Sequence, residues 1–241
     1  MTTVRRGVRR VVDDAGPGFT LASIGSAAAV LWYAGYAAPA VRARYVHLVL
    51  GLLWTGGNLV FGVVVGPVLS GLDDRRAGAF YARAAPRFAV LLPSMLVVVI
   101  AVGVPLSVRM RLFDHPRPWV ALVGFAAGTG ILLAFARRFD AWRDRRLQAA
   151  FGVVAVASAG AFAATASEFG PLSTSMLLTL AVGTLITVVG LGAILANDLR
   201  ATFEARAARP DYARVAALGR RNALLARVQI LLQLFIVISV L

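Results

Sequence analysis

The 241-residue sequence contains no cysteine and no lysine. Without thiols there can be no disulfide, thiolate metal site, iron–sulfur cluster or covalently attached haem. Without lysine there is no amine for Schiff-base or lysine-relay chemistry. Acidic residues number 11 against 25 basic ones, all arginine, and histidine occurs twice, as His47 and His115. No nucleophile with its base, phosphate loop or paired-carboxylate motif is present, so hydrolase and kinase chemistry lack support and the chain reads more as a non-enzyme.

Apolar residues fill the space these absences leave. They make up 59% of the chain, with a mean hydropathy of +0.79, against the roughly 45–50% of soluble domains. A water-soluble globule of this length could not hide so much apolar surface. The composition therefore predicts an all-α, polytopic transmembrane bundle, since helices pair their own backbone groups in hydrocarbon. Seven stretches approach the roughly 20 apolar residues a crossing needs: Phe19 to Ala38, Tyr45 to Leu69, Phe88 to Val108, Pro118 to Ala136, Ala149 to Ser167, Ser173 to Ala196 and Ala223 to Leu241. Residues 1–18 form a basic cytoplasmic segment ahead of a single transmembrane domain, 19–241. Arg5, Arg6, Arg9 and Arg10 followed by an apolar run and Ala37-Ala38-Pro39-Ala40 also resemble a secretory leader. Asp13, Asp14 and the length of the run favour a retained span.

Arginine placement orients the bundle. Alternate connections collect 19 arginines on one side and 5 on the other, with Arg227 inside the last span. The rich side is cytoplasmic by the positive-inside rule, giving an N-in, C-out protein of the plasma membrane. Trp32, Tyr33, Tyr36, Tyr45 and Trp119 then fall at outer ends, and Phe139 and Trp142 at an inner end, where amphipathic rings anchor. The net charge of +14 is directed at anionic lipid headgroups on the cytoplasmic side rather than at nucleic acid. Two long connections, Leu72 to Arg87 and Leu199 to Arg221, mix arginine with Phe80, Tyr81, Phe203, Tyr212, Val215 and Leu218. They predict interfacial helices interrupted at Pro86 and Pro210. Together with the spans they join, they give a faint pseudo-repeat across 45–107 and 173–241.

No span carries an acid at its middle; Asp198 and Glu168 read as solvated helix ends. In the second span Gly51, Trp54 and Asn58 lie within about 40° of His47 around the helix, a stripe expected to face the bundle. Gly51, Gly56 and Gly57 allow close approach of another helix or a flat ligand. His47 and His115 belong to the same outer face, with Met110 ending the third span there and Met176 beginning the sixth. Imidazole with thioether suits Cu(I), and packing accounts for the same residues equally well. In the last span Asn222, Gln229 and Gln233 share a face, which predicts interhelical hydrogen bonds, while Arg227 points elsewhere and snorkels.

His47-Leu48, Trp54-Thr55-Gly56-Gly57 and Pro67, continued by Pro86-Arg87-Phe88, Gly103, Pro118-Trp119 and Arg137-Arg138, resemble the copper resistance protein D (CopD) family. The likeness covers 45–146 and implies a four-helix unit there, concerned with copper passage or tolerance. Related families, including the HemJ-type protoporphyrinogen oxidases, share the signature, and for them it implies haem b on a helix histidine. Carried over, His47 is the ligand position, with Trp54, Gly56, Gly57 and Asn58 around it. The fourth-helix lysine of such units and a second intramembrane histidine are missing. Three readings follow: a copper-handling protein with metal at His47, His115, Met110 and Met176; a haem-binding redox protein; or a non-catalytic membrane subunit with a homo-oligomeric or membrane partner.

Overall fold

The computed structural model describes residues 3–111, 117–139, 142–168 and 173–240. Their secondary structure is helical, with no strand among the described residues. We number the long helices α1 (Thr3–Ala15), α2 (Pro17–Ala37), α3 (Ala40–Gly71), α4 (Asp74–Arg109), α5 (Arg117–Phe139), α6 (Arg145–Ala164), α7 (Thr174–Glu204) and α8 (Tyr212–Val240). Six of them, α2, α3, α4, α6, α7 and α8, are long and apolar enough to cross a bilayer. The expected fourth span lies in α5, whose shorter apolar stretch is Gly124–Ala134.

The outside of the bundle is greasy. Leu21, Leu52, Val156, Leu231 and Ile238 each expose more than two-thirds of their surface. Exposed apolar surface on this scale marks contact with lipid or another protein rather than water. Helix α6 buries none of its residues and packs against α5, which packs in turn on α7. The core instead joins α3, α4, α7 and α8, with α8 touching the other three and α2 lying against α4. The helices of 45–146 thus spread over two neighbourhoods: α3 and α4 face α7 and α8, while α5 sits on the far side of α7.

Helix α4 corrects one expectation. Pro86 does not interrupt it; the 36-residue helix runs unbroken through Pro86, Pro93 and Pro105. At 1.5 Å per residue it spans about 54 Å against roughly 30 Å of hydrocarbon. It is thus longer than a crossing needs, and its first turns pack against the rest of the bundle. Tyr81 and Val215, expected at the interface, are fully buried with Ala77, Ala85 and Ala216. The interruption at Pro210 is present, because α7 ends at Glu204 and α8 starts at Tyr212.

Glycine sets how closely α4 and α8 run. A Cβ on Gly78 would lie 2.2 Å from the Tyr212 carbonyl oxygen, and one on Gly219 2.8 Å from the Tyr81 ring. At the N-terminal end Gly16 has φ 96°, which L side chains resist, and this turn lets α1 fold back before Pro17 opens α2. The basic segment is therefore a helix with Val11 in the core, and Asp14 on it pairs with Arg206.

Three π-helical turns break the α pattern, at Tyr33–Ala37, Val60–Val65 and Val188–Ile194. Two of them precede prolines, which donate no N–H. Pro39 stands four residues beyond Gly35, and Pro67 five beyond Gly62, while the Gly66 N–H is given to Phe61. The carbonyls of Gly35 and Gly62 thus need donors from outside the helix. Arg109 of α4 donates to Gly35, and Arg227 of α8 donates Nε to Gly62 at 2.7 Å. Arg227 accordingly binds the backbone of α3 instead of snorkelling. Arg220 does the same for the end of α3, donating to the carbonyls of Leu69 and Leu72 and reaching Asp74 at 2.7 Å.

Helices α3 and α7 each contain a π turn, and each is followed by a short connection and a long helix. Each π turn packs on the opposite hairpin or across it: Gly62 against Ala223 and Arg227, Gly190 against Leu96 and Gln229.

Candidate functional site

The stripe on α3 faces the bundle as its spacing requires. Trp54 and Asn58 are buried, and His47, half-buried, stacks over Gly103 of α4, where a Cβ would stand 2.9 Å from the ring Cε1. The ring lies against the Val99 backbone, one helical turn before Gly103. Nδ1 is buried and has no hydrogen-bond partner, so one nitrogen remains free for a ligand. Gly103 is what leaves the imidazole its space.

The two methionines stand on other helices. Met110 caps α4 and is exposed. Met176 lies in the first turn of α7, a helix that packs chiefly on α5, α4 and α8. His115 lies outside the described residues. Gly56 has open space where a side chain would stand, and Gly57 meets only Leu92 at 3.8 Å. Among the described residues no group of three or more histidines or carboxylates is clustered. A metal or haem held here would take His47 Nδ1 as a donor, with His115 and the thioethers of Met110 and Met176 as candidate further ligands.

A second polar centre lies deeper, and the sequence reading passed over it. Asp198 is not a solvated helix end. It is 1% exposed and accepts from the Tyr81 hydroxyl and, at 2.9 Å, from the Asn222 amide. That same amide also donates to the Ile194 carbonyl, and its oxygen accepts from Asn197 at 2.8 Å. One face of α8 extends the network: Gln229 accepts from Asn58 at 3.2 Å and donates to the Ile186 carbonyl. The predicted interhelical bonds thus form at Asn222 and Gln229, while both amide atoms of buried Gln233 lack partners. Trp54, Asn58, Pro93, Leu96, Gln229 and Asp198 border a cavity of about 10 Å³, near the threshold for one water.

Two signals could have located this centre. The polar face of α8 required partners on a neighbouring helix, and Asn197-Asp198 lies near the matching depth of α7. Hydropathy alone placed the end of the apolar stretch at Ala196 and so put Asp198 in water. Compared with known proteins, the chain matches no family model, no curated protein and no solved structure.

Proposed function

We propose that this chain is a multi-pass protein of the plasma membrane with seven spans, N-in and C-out, that binds copper at its outer side through His47. The carrying observation is the half-buried His47 imidazole near the start of α3, with a buried, unpartnered Nδ1 and its ring seated over Gly103 of α4. The likeness to the copper resistance protein D family supports the metal, and the 19-to-5 arginine asymmetry supports the orientation. Nδ1 supplies a borderline-soft nitrogen donor; His115 and the thioethers of Met110 and Met176 would complete a set suited to Cu(I). Anionic headgroups gather at the arginine-rich inner side.

The test is metal and haem quantification on detergent-purified protein. Copper in the wild type and its loss in His47→Ala support the assignment; copper retained in the variant removes His47 from it. A Soret band lost with the same substitution would transfer the imidazole to haem b instead. A colourless, metal-free preparation that co-purifies with a second protein would favour the subunit reading.

A further inference from the structure

We propose that Asp198 is a proton-exchange site in the interior of the bundle, taking up and releasing a proton through the small cavity bordered by Trp54, Asn58 and Gln229. The inference rests on the membrane reading but is independent of the metal at His47. A carboxylate buried among spanning helices is costly unless partnered, and such residues mark ion or proton pathways. Asp198 is almost wholly buried on α7, six residues before that helix ends.

Its surroundings select the ligand. From α4 comes Tyr81, from α8 Asn222 and Gln229, and from α3 Trp54 and Asn58. Tyr81 O–H and Asn222 N–H both donate to the same carboxylate oxygen, Oδ1. A sodium ion requires a shell of oxygen acceptors, whereas here donors occupy that oxygen. The cavity holds about one water rather than a hydrated cation. Two arginines of α8 are turned elsewhere, Arg220 to Leu69, Leu72 and Asp74 and Arg227 to Gly62. Among the described residues, the groups that hydrogen-bond the carboxylate are a phenol and an amide, not a cation.

The exchange balances simply. A hydronium in the cavity gives its proton to a carboxylate oxygen, leaving a neutral water and a new O–H bond; the reverse step returns the proton to water. Asn197 orients Asn222, which together with Tyr81 holds the carboxyl in place through both states. These are positioning residues.

The experiment uses full-length protein in detergent and dicyclohexylcarbodiimide, an apolar reagent that adds to protonated carboxyls, with the adduct located by peptide mass spectrometry. We expect one dominant adduct, on Asp198, decreasing as pH rises and unchanged by excess sodium. Asp198→Asn should lose it while eluting as the wild type does. If that variant fails to fold, peptide mapping of the wild type still decides the matter. Adducts confined to the exposed carboxylates, or an Asp198 adduct indifferent to pH, would overturn the proposal. Protection by sodium would overturn it too, by making the site a sodium site. Recovery of the chain from buffer without detergent would instead defeat the membrane reading, and is scored separately.

Discussion

The contact between α4 and α8 should fail at a single methyl group. In Gly78→Ala the new Cβ would stand 2.2 Å from the Tyr212 carbonyl oxygen and 2.8 and 2.9 Å from that residue's C and Cα. Ordinary carbon contacts are about 3.5–4.0 Å, so the first turn of α8 must retreat by roughly 1 Å or more. Backbone cannot rotate away as a side chain can, and overpacking of this kind typically costs about 1–3 kcal/mol. Alanine recovers up to about 1 kcal/mol of helix propensity, so with backbone atoms this close the net loss reaches up to about 2 kcal/mol. Gly160→Ala on α6 is the matched control, since open space surrounds that position; it should gain about 0.5–1 kcal/mol. Thermal unfolding in one detergent, followed by circular dichroism, should therefore rank Gly160→Ala above the wild type and Gly78→Ala below it. A Gly78→Ala protein as stable as Gly160→Ala would refute the close packing of α4 on α8.

Arg227→Met should destabilise the bundle by about 1–3 kcal/mol by leaving the Gly62 carbonyl without a donor, measured by the same melt. Asn222→Leu strips donors from Asp198 and from the Ile194 carbonyl together; it should cost more than Gln233→Leu, whose amide has no partner to lose. In Gly103→Ala the added methyl sits 2.9 Å from the His47 ring. Copper content should fall in that variant with His47 still present, and unchanged copper would detach the imidazole from the site.

The fold was more legible than the site. Six of the seven expected spans are legible as apolar runs of crossing length, and the inward-facing His47 to Asn58 stripe and the hydrogen-bonding face of α8 follow from helical periodicity. What periodicity misses is depth. Tyr81, Val215 and Asp198 lie past the apolar stretches in the sequence, where hydropathy assigns them to water. Yet α4 continues unbroken through Pro86, and small residues at 78 and 219 let α8 close over it, so the layer at the helix ends is filled by protein. The π turns were equally hidden, since a proline at 39 or 67 shows that an N–H is missing but not which distant arginine replaces it. His115 lies outside the described residues, and its place on the same face as His47 is an expectation from the sequence alone.

The carbonyls released by the π turns also bear on how such a chain is assembled. Gly62 belongs to the apolar stretch of α3, yet its donor, Arg227, follows 165 residues later. Until α8 arrives, that oxygen must rely on water or another donor. The arrival of α8 thus completes the backbone of a helix made 165 residues earlier, which makes α8 a lock on α3.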